Sequence, residues 1–397
     1  MAVRHVLAVF ALALALPPLH GDSPTLPGTP PAALVRADNG LGLSLFRQLR
    51  GAHPGRNLLM SPLSVAQALQ MTWNGAAGRT LADLTQVLQL TGLAPAEVNQ
   101  GNAALGANLP GADPKVQVLL GNSLWQKNDV LLPAFRDLTR AYYAAQVGDL
   151  GQGPAAVNAW VSQRTNGLIP RIMDPASNCQ VYDLLLVNTV YFHGDWAKPF
   201  NPANTTAGAF TREDGTQVAC PLMFRSGGMG YGADGRTHSG RLPFGDGRYG
   251  MIFVQPDTGV SMDAVAASLD GPAWEALVQG LQVHPVRLTL PKWTAAFSTG
   301  LAGPLKALGL GAAFDPAHAD FSALSAQPQH LSEVVHGTHI AVDEAGVVAA
   351  AATSVVVAGN ALPSRTLVLD RPFFYAIQDS SSGALLYFGQ MLDPAAQ

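Results

Sequence analysis

Cysteine is nearly absent from this 397-residue chain: only Cys179 and Cys220 occur. Two thiols build neither a disulfide framework nor a cysteine-ligated metal site; one bridge is allowed, and two buried free thiols are the preferred reading. Charge is sparse as well. Charged residues make up 13% of the chain against 48% hydrophobic, with a formal net charge of -4. That balance excludes a disordered chain and leaves no basic footprint for nucleic acid. The usual enzyme signatures are missing: there is no G-x-S-x-G, H-E-x-x-H, P-loop or C-x-x-C pattern. The glycine-rich stretch Gly228-Met229-Gly230-Tyr231-Gly232 has no strand-to-helix frame and reads as a turn. His336 and His339 stand three apart in an extended segment, which points them to opposite faces. They do not chelate one ion, and a structural role for His336 follows. No metal or cofactor is expected.

Long apolar runs are also lacking. Val6 to Leu16, after the positive Arg4, is helical over only about 17 Å, short of a hydrocarbon core of about 30 Å. It reads as a signal peptide ending near Gly21, with a retained anchor as the alternative. Residues 22–38, Pro-rich from Ser23 to Pro31, read as a linker, and residues 39–395 as one large domain.

What is present divides by period. Asn39 to Arg50, Pro62 to Trp73 with Ser61 as cap, Thr80 to Leu90, Leu132 to Tyr143 and Ala155 to Thr165 read as helices. Strands are expected at Val116 to Trp125, Leu184 to Phe192, Arg248 to Val254, Val286 to Leu290, Thr338 to Val342, Phe373 to Gln378 and Leu385 to Met391. The run from Leu184 is apolar throughout, as a strand buried on both faces would be. Helices early and strands late imply an α+β domain with antiparallel or mixed sheets.

The most informative segment lies near the C-terminus. After the strand-like His339 to Val342, Glu344-Ala345-Gly346-Val347-Val348 leads into Ala349, Ala350, Ala351, Ala352, Thr353 and Ser354, then Val355 to Val357. The flanking β-branched residues favour strand over helix, and Gly346 to Ser364 carries no charge. Small, uncharged residues let a segment slide into a crowded sheet without clash or unpaired charge, which is what a loop that becomes a strand requires.

That segment resembles the reactive-loop hinge of a serpin. Asn57-Leu58-Leu59-Met60-Ser61-Pro62-Leu63-Ser64 resembles the family's N-x-x-x-S-P-x-S element, and Asn188 to Trp196 its N-x-x-Y-F-x-G-x-W strand. Arg371-Pro372-Phe373-Phe374 and Phe388-Gly389-Gln390, closing at Pro394, resemble its C-terminal strands. The resemblance runs from about Asn39 to Pro394 and points to a secreted, bacterial-like member. It implies the serpin fold: one domain of helices packed around three β-sheets, with an exposed reactive loop at about residues 344–364.

It also implies site residues. His336, eight residues before Glu344, matches the family's shutter histidine, with Ser61, Ser64 and Asn188 as its neighbours. Leu290-Pro291-Lys292 resembles the strand whose Lys pairs with the hinge Glu, so Lys292, Glu344 and Trp196 are expected together at the top of the main sheet, the breach. The hinge is Glu344, Gly346, Val347, Val348 and Ala349 to Ala352. Sixteen residues on from Glu344 lies Asn360, giving Asn360-Ala361 as bait bond; counting eleven back from Pro372 gives Ala361-Leu362 instead.

The implied activity is suicide inhibition of a serine protease, elastase-like or subtilisin-like, because the residues before the bait bond are small and apolar; a cysteine protease directed at Asn remains an alternative target. The chain would act as a monomer prone to polymerise. The rival reading is a non-inhibitory carrier or chaperone-like serpin, whose hinge would carry bulky, charged or proline residues that this one lacks. Glycosaminoglycan-activated members carry basic residues near the fourth helix; no Lys or Arg occurs here between Arg79 and Lys115, so heparin is not expected as a partner. Asn204-Thr205-Thr206 is a formal glycosylation sequon.

Overall fold

The computed structural model describes residues 28–111, 113–347 and 365–396. The signal segment, the hinge residues Val348 to Ala352 and both candidate bait bonds, Asn360-Ala361 and Ala361-Leu362, lie outside the described residues.

Helices come first. They are α1 (Ala32–Ala52), α2 (Pro62–Trp73), α3 (Gly78–Val87), α4 (Pro95–Asn108), α5 (Pro133–Tyr143), α6 (Gly153–Arg164), α7 (Met262–Ser268) and α8 (Gly271–Gln279). Strands interleave and then dominate. They are β1 (Leu58–Met60), β2 (Val116–Gln126), β3 (Gln146–Asp149), β4 (Leu184–Asp195), β5 (Thr206–Thr211), β6 (Gln217–Ala233), β7 (Thr237–Pro243), β8 (Tyr249–Pro256), β9 (Gln282–Pro291), β10 (Trp293–Gly300), β11 (Leu331–Val342), β12 (Gly346–Val347), β13 (Arg365–Val368), β14 (Phe373–Asp379) and β15 (Leu385–Met391).

Local chemistry explains the best-formed elements. Ser61 caps α2 by accepting the Ser64 N–H, and Pro62 sits in the first turn, where it has no hydrogen bond to lose. Every residue of α2 is buried, so the helix runs through the core rather than along its surface. α1 starts at Ala32, so residues 32–38, read as linker from the sequence, are helical and include the buried Leu34 and Val35. In β4 the run Leu184 to Phe192 is buried throughout, because both faces of its sheet are covered.

The strands form two hydrogen-bonded sheets among the described residues, not the three expected. One has nine strands, ordered β1-β15-β14-β8-β7-β6-β9-β13 with β5 also on β6. The other has six, ordered β10-β11-β12-β4-β2-β3, with β11 also pairing β4. The reason for the merger is β6. Its seventeen residues pair β9 from Leu222 to Tyr231 and β7 from Gly230 to Ala233, so one strand joins what would otherwise be two sheets. The same strand corrects the reading of Gly228 to Gly232 as a turn. All three glycines lie in the ladder, and two of them are crowded there: a Cβ on Gly230 would stand 3.1 Å from the Cβ of Arg241 and one on Gly232 3.3 Å from a Leu281 methyl.

The core lies between the sheets. Alternation along β15 sends Phe388 against Phe46 of α1 and Trp274 of α8, and turns Tyr387 towards β4 and β11. The outer face of the six-stranded sheet is covered by α6, where Val157, Trp160 and Val161 pack with Trp125, Leu185 and Val187. Cys179 and Cys220 are both buried and free.

Near its top the six-stranded sheet divides. β4 and β11 pair directly and in parallel up to Thr338↔Val190. Above this, β12 enters between them, with Val347 opposite both Val342 and Gly194. The entry has no room to spare: a Cβ on Gly346 would fall 2.1 Å from the Gly194 carbonyl oxygen and 2.8 Å from the Asp195 Cα. Gly346→Ala is expected to push β12 out of the fork, at an overpacking cost of about 1–3 kcal/mol. The check is faster hydrogen exchange at Val347 together with a lower melting temperature; an unchanged amide would show that β12 tolerates the methyl.

Candidate functional site: the fork of the six-stranded sheet

The chain leaving β11 makes a tight turn before it re-enters the sheet. Asp343 directs it: its Oδ1 accepts the N–H groups of Ala345 (2.8 Å) and Gly346 (3.1 Å). A second element holds the same turn from outside. Trp196 donates its backbone N–H to the Ala345 carbonyl (2.8 Å) and its indole N–H to the Asp343 carbonyl (2.9 Å). Phe200 donates its backbone N–H to the Glu344 carbonyl at 2.8 Å. Trp196 is buried and stacked on Phe244 at 4.4 Å between centroids, so it is a fixed support.

The Glu344 carboxylate closes this cluster. One oxygen meets Lys292 Nζ at 2.7 Å and the other accepts from the Thr205 hydroxyl at 2.7 Å. Burial pushes this carboxyl up, but the bonds from Lys292 and Thr205 outweigh it and hold the group below the ordinary carboxylate range. The structure therefore brings Trp196, Lys292 and Glu344 together. No sequence pattern points to Thr205, visible only as part of a sequon, nor to the Phe200 amide. Asp343 carries a turn signal in the sequence, as an Asp three residues before a Gly.

A second cluster sits lower, where β4 and β11 are paired. His336 lies opposite Asn188 in that ladder, and both are wholly buried. His336 Nε2 accepts the Ser61 backbone N–H at 2.9 Å, and Nδ1 bonds the Asn188 side-chain oxygen. An acceptor at Nε2 and a donor at Nδ1 define the neutral Nδ1–H tautomer. Burial agrees with this, pushing the imidazole down to about 3. The Ser64 hydroxyl donates to the same Asn188 oxygen at 3.3 Å, and Ser61 Oγ accepts the Ser64 N–H at 3.2 Å. The four residues picked from the sequence thus touch in one network, which ties α2 and β1 to the paired strands. His339 faces the other way and is only half-buried.

Vertically between the clusters stands Tyr387, which no local pattern marked. Its hydroxyl donates to the Val190 carbonyl at 2.7 Å and lies 3.5 Å from the His339 carbonyl. Of the hinge, the structure describes only Glu344 to Val347.

The neutral imidazole has a pH consequence. An unfolded His binds a proton near pH 6.5, whereas the folded one resists it down to about 3. Between these values the unfolded state holds the extra proton, so stability falls as pH drops through that window. His336→Phe should abolish this share of the pH dependence. It should also orphan the Ser61 N–H, costing about 1–3 kcal/mol, and leave the Asn188 oxygen with the Ser64 hydroxyl alone. Urea melts from pH 7 to 4 check it; parallel curves for parent and variant would contradict the buried neutral tautomer.

Comparison with known proteins agrees with the geometry. Residues 36–394 match the family model described as Serpin (serine protease inhibitor). The chain is 32% identical over 395 residues to corticosteroid-binding globulin of Oryctolagus cuniculus, covering 95% of this chain and all of that one. It is 28% identical over 416 residues to plasminogen activator inhibitor 1 of Bos taurus, covering 99% and 100%. The crystal structure of a thermophilic serpin, tengpin, in its native state superposes with a TM-score of 0.83 at 28% identity, covering 91% of this chain and 94% of that one. The protein is therefore of an inhibitor kind and not a catalyst, and the chain belongs to the serpin family.

Proposed function

We propose that the protein is a suicide inhibitor of a serine protease and works by inserting its cleaved loop into the six-stranded sheet. The observation that carries this is register. β12 is antiparallel to both neighbours, with Val347 opposite Val342 and Gly194. Continuing that count in a cleaved form puts Ala349 opposite Ile340 and Phe192, and Ala351 opposite Thr338 and Val190. Thr353 would then face His336 and Asn188. The pairs Thr338↔Val190 and His336↔Asn188 already exist in the closed ladder below. The two edges are thus aligned to accept one common strand with no slip in either register.

Side-chain chemistry supports the same path. Ile340, Phe192, Thr338 and Val190 are buried, so the inserting side chains opposite them must be small and uncharged, as Ala349 and Ala351 are. Thr353 would bring a hydroxyl to the His336 network, where Asn188 Nδ2 has no partner among the described residues. In the reaction the protease's nucleophile attacks the bait bond and becomes acylated. Insertion of about 15 residues then carries it some 50 Å at about 3.3 Å per residue, and distortion of its site by even about 1 Å slows deacylation roughly 100-fold.

The bait bond we favour is Asn360-Ala361, or Ala361-Leu362, and the target an elastase-like or subtilisin-like enzyme. The protein works outside the cytoplasm as a secreted inhibitor. Its leader at residues 1–21, its bacterial-like character, its monomeric state with a tendency to polymerise and its independence of heparin are part of the same proposal. So are the roles of Ser61, Ser64, Asn188 and His336 in keeping the sheet shut and of Trp196, Lys292 and Glu344 in holding its top.

One observation favours a second reading, a carrier. The relative of 32% identity is by its name a corticosteroid binder, and a cleft of about 430 Å³ opens between strands β6 to β8 and helices α7 and α8, with Val254, Val265, Leu269 and Leu277 in its lining. A fluorescent steroid that binds stoichiometrically, with no covalent protease complex, would select it.

Incubation with elastase- and subtilisin-type proteases should give a band that survives denaturant, and mass spectrometry should find a released peptide starting at Ala361 or Leu362. A peptide starting at Thr366, from a productive trypsin-like complex, would overturn the target class. Val347 is already buried in β12, so Val347→Arg should expel β12 from the fork and oppose the insertion that follows while leaving the loop cleavable, turning the inhibitor into a substrate. Its stoichiometry of inhibition should rise several-fold; a parental value would refute insertion through this hinge.

A further inference from the structure

The fork has a vertex, and a side chain from the other sheet occupies it. The last direct pair between β4 and β11 is Thr338↔Val190. The next pairs upward, at Gly194 and Val342, are made by β12. Between these levels, among the described residues, no strand links residues 191–193 of β4 to residues 339–341 of β11. Tyr387 reaches this level from β15, wholly buried. Its hydroxyl sits 2.7 Å from the Val190 carbonyl and 3.5 Å from that of His339. One carbonyl belongs to each prong, and both converge on a single oxygen.

Two carbonyls that approach one hydroxyl from opposite strands both face the gap. An inserted strand would meet them with backbone N–H groups. The hydroxyl adds a donor at the last rung of the β4–β11 ladder and stands near the His339 carbonyl, at a level where no strand links β4 to β11 among the described residues. Burial pushes the Tyr387 phenol far above its usual range, so it is a donor at any working pH. The single proton serves Val190, the nearer carbonyl.

We propose that Tyr387 is a positioning residue for the insertion step: its hydroxyl latches the vertex of the fork, so that a strand advances past the Thr338↔Val190 rung only when the Val190 carbonyl changes donor. This rests on the insertion reading and adds to it a specific barrier. The latch makes the uncleaved state persist without closing the sheet, because the bond it offers is one that the inserted strand can replace in kind. Premature advance of the hinge would require giving up that bond before the replacement arrives.

The test is Tyr387→Phe, which keeps the ring packed and removes only the hydroxyl. Hydrogen exchange in the uncleaved protein is expected to quicken several-fold at residues 191–193 and 339–341, while residues 184–187 and 333–335 keep the parental rate. Spontaneous loss of inhibitory activity on mild warming should quicken several-fold. The loop-cleaved variant should melt with the loop-cleaved parent, since the inserted strand has replaced the hydroxyl. Exchange unchanged at the fork, or raised equally along both strands, would overturn the latch; so would an equal drop in melting temperature for cleaved and uncleaved forms, which marks plain loss of packing. The covalent band of the parent judges the inhibitory reading, and the exchange comparison judges the latch, so the two fail separately.

Discussion

The structure depends on a pair of strand edges that are aligned but only partly joined. A β-strand edge inside a protein must find hydrogen-bond partners, and β4 and β11 find them in three ways along their length. Below Val190 they bond each other; at Gly194 and Val342 they bond β12; between these levels a tyrosine hydroxyl reaches the Val190 carbonyl. Everything around the fork makes this uneven arrangement durable. The lower closure is pinned by a neutral histidine that accepts from α2 and donates to β4. The upper opening is pinned by a turn that Trp196, Phe200, Thr205 and Lys292 all hold from outside.

Both pinning clusters use polar bonds where apolar packing would have been simpler. Packing alone would weld the strands together, because dispersion falls off steeply once a close-packed contact parts. Hydrogen bonds to backbone or neutral side chains can be exchanged for others of similar strength, as an added strand would do. The neutral His336 tautomer matters here: an imidazolium would lose its acceptor and leave the Ser61 N–H unpaired. Sparse charge across the hinge serves the same end, since a charge buried on insertion has no partner waiting.

Much of this was legible in the chain. The boundaries of α2 and of β2 follow from capping, proline placement and apolar period, and Pro62 to Trp73 is the helix observed. The spacing from His336 to Glu344 and the resemblance around Asn188 singled out residues that the structure brings into contact. Other features were hidden for physical reasons. The glycines of β6 look like a turn locally, and only the pairing with β7 and β9 makes them a strand. Thr205 and Tyr387 carry no pattern of their own, because their partners lie 139 and 197 positions away along the chain.

By itself the sequence determined the small, charge-free character of Gly346 to Ser364, the capped buried helix, the doubly covered strand from Leu184 and a scarcity of charge that leaves no basic footprint for nucleic acid. These are local or compositional properties, set by the period and size of neighbouring residues. Only the tertiary structure decided that two sheets merge through β6, that β12 stands between β4 and β11 in the register they share, and that a hydroxyl from the opposite sheet meets them where they part. Such facts depend on which distant backbone edges meet, and no local propensity encodes that meeting; it follows from the simultaneous packing of both sheets around one core.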